Sequence, residues 1–168
     1  MSGKIDIHTH ILPPKLPDFK AKFGYGGFMG LERGWMVRDD GTRFRKVEAN
    51  LWDAKRRVVE MDKSGVSLQV LSTVPVMFNY WAKPKDGLEV ARFLNDHIGE
   101  VVADRPERFA GLGTIPLQAP KLAVKEMERC RSMLGLAGVQ IGTNVNGTNL
   151  DDPALFPIFE AAAQLGMS

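Results

Sequence analysis

Lys4-Ile5-Asp6-Ile7-His8-Thr9-His10-Ile11-Leu12-Pro13 reads as a short strand with two imidazoles two residues apart. Side chains alternate across a strand, so His8 and His10 are expected on one face, with Asp6 behind them. Their Cα atoms then lie roughly 6.6 Å apart, at about 3.3 Å per residue. Two neutral imidazoles at that separation can close on one divalent ion. The plainer alternative is a surface strand end with two solvated histidines. Position favours the first reading, because this strand opens a chain in which strands and helices alternate.

Working outward from it, the pattern repeats four times. A polar, Gly-rich stretch runs from Pro13 to about Asn50 and is expected to be a long loop insertion, a feature that is often functional. It holds Phe23-Gly24-Tyr25-Gly26-Gly27-Phe28, whose aromatics are candidates to cover a pocket. Asp53 is placed to cap a helix that runs to about Ser64, with Gly65 at its left-handed end. Val66 to Thr73 is an apolar strand. The next helix is expected from near Asp86, with Leu88, Ala91, Leu94, Ile98 and Val101 at three- and four-residue spacing on its buried face. Phe109 to Ile115 is the third strand. Pro120 opens a helix with Ala123, Met127, Cys130 and Leu134 inside. Gly138 to Gly142 is the fourth strand, and Asp152-Pro153 opens the last helix.

Alternating units of this kind imply parallel strands joined by crossover helices. A doubly wound nucleotide binder would show a Gly-rich turn directly after a strand. Here Ile-Leu-Pro-Pro follows the first strand instead, and both histidines sit at its C-terminal end, where a (β/α)8 barrel keeps its chemistry. The predicted fold is therefore α/β: the first four βα units of an incomplete (β/α)8 TIM-type barrel. Residues 1–168 are expected to form one domain, with the insertion at about 13–50.

With 44% hydrophobic and 25% charged residues the chain suits a globular fold, and its net charge of +2 is too dispersed to mark a nucleic-acid partner. No apolar run is long enough to span a bilayer, so no membrane partner is expected. The N-terminus lacks a charged-then-apolar signal pattern, which makes a cytoplasmic location the expectation. Cys130, the single cysteine, falls on a helical apolar face and reads as a buried residue rather than a reactive thiol.

Further stretches carry a resemblance. KIDIHTHILP, FGYGG, LSTVPVMFNYWAKP, GLGTIPLQAPKLAVKEMERC and GVQIGT resemble the 2-amino-3-carboxymuconate-6-semialdehyde decarboxylase family of the metal-dependent amidohydrolase superfamily. The resemblance runs along nearly the whole chain and weakens between Gly30 and Thr42. It implies that His8 and His10 bind Zn2+, with no organic cofactor. It also implies that Arg45, in the Phe44-Arg45 pair ahead of Asn50-Leu51-Trp52-Asp53, grips a carboxylate of a small dicarboxylate substrate. A guanidinium suits that task because it offers two parallel hydrogen bonds. The residues alone mark Arg45 only as a solvated loop cation. The implied reaction is non-oxidative removal of the 3-carboxylate as carbon dioxide, a step of tryptophan-kynurenine catabolism, by a homo-oligomer, most simply a dimer.

Members of that family are about twice this length, and their remaining metal ligands and acid/base histidine follow the fifth strand. The chain thus resembles an N-terminal half, with no catalytic histidine of its own. His97, on a helix, reads as a surface residue. Two other readings stay open: a different hydrolase or decarboxylase of the superfamily, and an inactive short form that self-associates or pairs with full-length subunits.

Overall fold

A computed structural model describes residues 3–168. Strand β1 (Lys4–His10) is followed by a short helix α1 (Phe19–Phe23) and by strands β2 (Gly30–Glu32), β3 (Trp35–Val37) and β4 (Arg43–Lys46). Then come α2 (Ala54–Ser64), β5 (Val66–Ser72), α3 (Pro84–Asp104), β6 (Phe109–Gly113), α4 (Pro120–Ser132) and β7 (Gly138–Val139). A small hairpin, β8 (Asn144–Val145) and β9 (Thr148–Asn149), precedes α5 (Phe156–Leu165).

The strands β1, β5, β6 and β7 form one parallel sheet in chain order, each followed by a helix. Sequential parallel neighbours with crossover helices are the layout of a barrel wall. Local signals set the helix limits. Asp53 Oδ1 accepts from the backbone N–H of Lys55 and of Arg56, which caps α2, and Gly65 takes the left-handed φ of 70° that ends it. Helix α3 starts at Pro84, two residues before the expected Asp86, because proline is pre-set for the first helical turn.

Leu71 and Phe109 on the sheet meet Ile98 of α3 and Met127 and Cys130 of α4 in the main core, all almost wholly buried. The helices approach β6 closely. A Cβ on Gly111 would lie 2.7 Å from both the Ile98 and Leu136 side chains, so only glycine fits there. Gln69, Leu71, Phe109 and Gly111 are in register on this helix-facing side. Leu68, Val70, Ala110 and Leu112 therefore lie on the opposite, inner face.

Two sequence expectations need correction. The stretch from Pro13 to Asn50 is not a bare loop. It carries α1, capped by Asp18, and an antiparallel sheet β2-β3-β4. Of its aromatics, Phe28 lines a cavity of about 440 Å³ together with Phe19. Phe19 and Phe28 are buried with Leu12, Met36, Met77 and Leu94 in a second apolar cluster. The fourth strand is shorter than its sequence suggests, because Gly142 N–H is drawn off to the Tyr80 hydroxyl at 3.0 Å. Beyond β7, Val139 N–H donates to Ser168 O at 2.8 Å and Ser168 N–H to Ala137 O at 3.2 Å, the pattern of a parallel ladder. Among the described residues no helix is long and apolar enough to cross a membrane.

Candidate metal and carboxylate site at the end of β1

The register of β1 against β5 shifts between Asp6 and Thr9, where β1 holds one residue more than its partner. Asp6 pairs with Gln69, and its Oδ2 lies 3.4 Å from Gln69 Nε2, on the helix-facing side. Beyond the bulge Thr9 pairs with Leu71 and His10 with Ser72. The alternation is thereby reset, and His8 and His10 turn to the inner face. Asp6 is consequently not behind the imidazoles, as strict alternation predicts. The two rings converge with centroids 5.2 Å apart and planes at 80°.

His10 is half-buried, and its Nδ1 lies 3.2 Å from Ser72 Oγ. Ser72 has one hydroxyl proton, and it donates that proton to Thr9 O at 3.1 Å. The oxygen is therefore the acceptor toward His10, Nδ1 carries the ring proton, and Nε2 keeps a free lone pair. Burial, then the neighbouring His8, hold the His10 pKa below its ordinary value. A hydrogen bond with the Thr73 backbone opposes this, and the Arg57 and Arg45 charges add to the lowering. A neutral imidazole with one oriented N–H is the form in which histidine binds a metal.

Arg57, on α2 and only 8% exposed, fixes the end of the strand. It donates to His10 O at 2.6 Å, to Asn50 O at 2.7 Å and to Gln69 Oε1 at 3.2 Å. One guanidinium thus ties β1 to the segment that follows Arg45. Sequence reading missed both Arg57 and Ser72. The only signal for Arg57 is a cation on the buried side of an otherwise capped helix, and Ser72 resembles any strand-end serine.

Arg45 lies on β4, opposite Met36, and is exposed. Its neighbours are occupied: the Arg43 guanidinium sits 5.0 Å over the Trp35 ring and Arg38 5.1 Å over Phe44. Among the described residues Arg45 pairs with no carboxylate. Its charge is the smallest of the influences on the His10 pKa, whereas His8 and His10 are brought together directly. His97 is elsewhere, half-buried on α3 rather than on the surface, with Nε2 unpartnered and its pKa lowered by burial. Cys130 is wholly buried, as expected, and its thiol is pushed up to about 12, first by burial.

The donor set fits a divalent ion in part. His10 offers a lone pair oriented from behind, and His8 is an exposed imidazole beside it. Among the described residues, however, no three or more His, Cys, Asp or Glu side chains converge. A catalytic zinc usually has three protein ligands.

A parallel β/α wall with paired imidazoles at the C-terminal end of its first strand is the layout of a barrel-type metalloenzyme. The chain belongs to the amidohydrolase family, whose model matches residues 5–168. It is 52% identical to the 2-amino-3-carboxymuconate-6-semialdehyde decarboxylase of Dictyostelium discoideum, over 98% of this chain and 47% of that protein. The Caenorhabditis elegans protein of the same name is 38% identical, over 99% of this chain and 47% of its own. Among solved structures it resembles 5-carboxyvanillate decarboxylase from Novosphingobium aromaticivorans, complexed with manganese and 4-hydroxy-3-methoxy-5-nitrobenzoic acid. That similarity has a TM-score of 0.67 and 28% identity, over 70% of this chain and 34% of that one. The chain spans about half the length of the curated relatives it matches.

Proposed function

We propose that the protein to which this chain belongs removes carbon dioxide, without oxidation, from 2-amino-3-carboxymuconate 6-semialdehyde, leaving 2-aminomuconate 6-semialdehyde. The observation that carries this reading is the proton arrangement at His10, where Ser72 leaves Nε2 free beside His8. His8 and His10 would hold the metal, and Zn2+ is the proposed ion. When bound, the ion supplies Lewis acidity and activates water.

The chain's own residues bind and orient. Arg45 pairs with a substrate carboxylate, which fixes the conjugated skeleton near the imidazoles and lowers the entropic part of the barrier. Ser72 holds the His10 ring in its tautomer, and Arg57 holds the strand end that carries it. The C3–carboxylate bond breaks, its electron pair stays on the carbon skeleton, and a proton replaces the lost carbon dioxide. No organic cofactor is invoked. The chain forms one barrel-building unit in which 13–50 is an insertion. The protein works in the cytoplasm, in the kynurenine route of tryptophan breakdown, as a homo-oligomer, most simply a dimer.

A chain offering two recognised ligands binds zinc weakly. We expect the isolated 168 residues to lack measurable turnover and to self-associate along the exposed inner face, where Ile5 and Ile7 are 62% and 75% exposed. The test offers the protein that carries this chain two acids, the muconate semialdehyde and 5-carboxyvanillate, and follows carbon dioxide release. Loss of the muconate reaction in Arg45→Ala and in His10→Ala supports the reading. Turnover of the benzoate-type acid alone would assign the chain to another decarboxylase of the family.

A further inference from the structure

A second concave feature opens at the C-terminal ends of the same parallel strands. It is a cleft of about 710 Å³ between the segment after β5 (Pro75 to Trp81) and the segment after β7 (Gln140 to Asn146). None of its lining residues is charged. Phe78 and Tyr80 stack along one wall, with centroids 5.4 Å apart and planes at 19°. The two segments are locked together, because the Tyr80 hydroxyl accepts from Gly142 N–H at 3.0 Å and Tyr80 O accepts from Asn146 Nδ2 at 2.8 Å.

Two side chains that line this cleft each carry an acceptor without a partner among the described residues. Asn79 is only 4% exposed, yet its Oδ1 is buried and unsatisfied. Its orientation is set from the other end, since Asn79 Nδ2 donates to Met77 O at 2.8 Å. Gln140 Oε1, from the opposite wall, is buried and unsatisfied as well. A buried polar group without a partner costs about 1–3 kcal/mol. Two in one cleft, both oxygens, ask for a ligand that brings N–H or O–H groups. Asn79 also holds a positive φ of 51°, a conformation its side chain tolerates better than most.

We infer that this cleft is a subsite for the uncharged, flat, amino-bearing part of a conjugated ligand, with Asn79 Oδ1 and Gln140 Oε1 accepting from its N–H. The inference rests on the proposed function, in which the substrate is a conjugated amino dicarboxylate, and it extends that reading from the carboxylate end to the amino end. Aromatic walls without charge suit a π-system and disfavour a carboxylate, and the two bare oxygens favour a ligand that brings N–H groups. The selection lies in the gain, because a ligand with N–H relieves a cost that the empty cleft already carries, whereas one without N–H leaves it in place.

The experiment titrates the protein that carries this chain with three neutral flat probes and follows them by ligand-observed NMR. These are 4-aminoacetophenone, 4-(methylamino)acetophenone and 4-(dimethylamino)acetophenone. The first two bind, and the third is at least tenfold weaker; the monomethyl probe controls for bulk. Gln140→Met and Asn79→Ala each shrink that preference below about threefold, while Arg45→Ala leaves it intact. Equal binding of all three probes, binding of none, or a preference that survives both cleft variants would overturn the subsite. Should either variant fail to fold, the probe series alone still decides. A protein that keeps the N–H preference but never decarboxylates the muconate would sink the proposed reaction and leave the subsite standing. Decarboxylation without the preference would do the reverse.

Discussion

Arg57 holds His10 by its backbone: the Nη2 group donates to the His10 carbonyl oxygen at 2.6 Å. The same nitrogen reaches Asn50 O at 2.7 Å, so the strand end and the segment after Arg45 share one buried cation. Burial lowers the Arg57 pKa, and the charges of Glu60 and Asp6 oppose that.

Arg57→Leu removes the cation and leaves two carbonyl oxygens bare. Hydrogen bonds to a charged group are worth about 1.5–3 kcal/mol, so the variant should lose about 3 kcal/mol of stability. Urea denaturation measures this directly. A loss under about 1 kcal/mol would mean that water or a neighbouring donor replaces the guanidinium.

Ser72→Ala acts on the ring instead of the strand. Without the acceptor at Nδ1 the His10 tautomer is no longer fixed, and partners of this kind are worth about 10–100-fold in metal affinity. Competition against a chromophoric chelator should show zinc affinity falling by about that factor, with the circular dichroism spectrum unchanged. Unaltered affinity would show that the Ser72 contact has no bearing on the metal.

The pH dependence of stability contains a readable part from His97. Burial lowers its folded pKa, against smaller opposing effects of Glu100 and the Leu12 backbone. The unfolded chain therefore takes up a proton near pH 6.5 that the folded chain refuses. The contribution is fully present above that pH, is lost as the pH falls toward the folded value, and levels off below it. The difference in stability between the native protein and His97→Gln should shrink on acidification from pH 7.5 to 5. His10 shifts the same way in both proteins, so only the difference isolates His97. A difference that grows on acidification would contradict the burial of this ring.

Cys130 is wholly buried, and its raised pKa leaves almost no thiolate at neutral pH. Iodoacetamide should leave it unmodified in the folded protein and alkylate it fully in guanidinium chloride, as intact-mass spectrometry would report. Rapid labelling under native conditions would mean that α4 opens locally.

Much of this architecture is legible in the sequence because it depends on short-range chemistry. Asp53 and Gly65 announce both ends of α2, and Ala123, Met127 and Cys130 trace the buried stripe of α4. The β2-β3-β4 sheet escapes notice for a physical reason. Its strands are three or four residues long, and all of β4 is exposed, so no hydrophobic period develops. The imidazole pair is visible as a motif, but its surroundings are not. Ser72 and Arg57 lie 62 and 47 residues from His10, and such partners are chosen by strand register and helix packing. Asp6 was misplaced because alternation assumes an unbroken ladder.

The irregularity between Asp6 and Thr9 has a wider consequence. It works as a clutch between two halves of one strand. The lower half answers to the helices through Asp6 and Gln69, whereas the upper half presents nitrogen donors to solvent. Substitutions in Lys4 to Asp6 can drift with the packing beneath them without rotating either imidazole. Pairing the strand straight through, with the surplus residue kept and no bulge, would swing the donors to the helix-facing side while leaving every side chain needed for the chemistry still present.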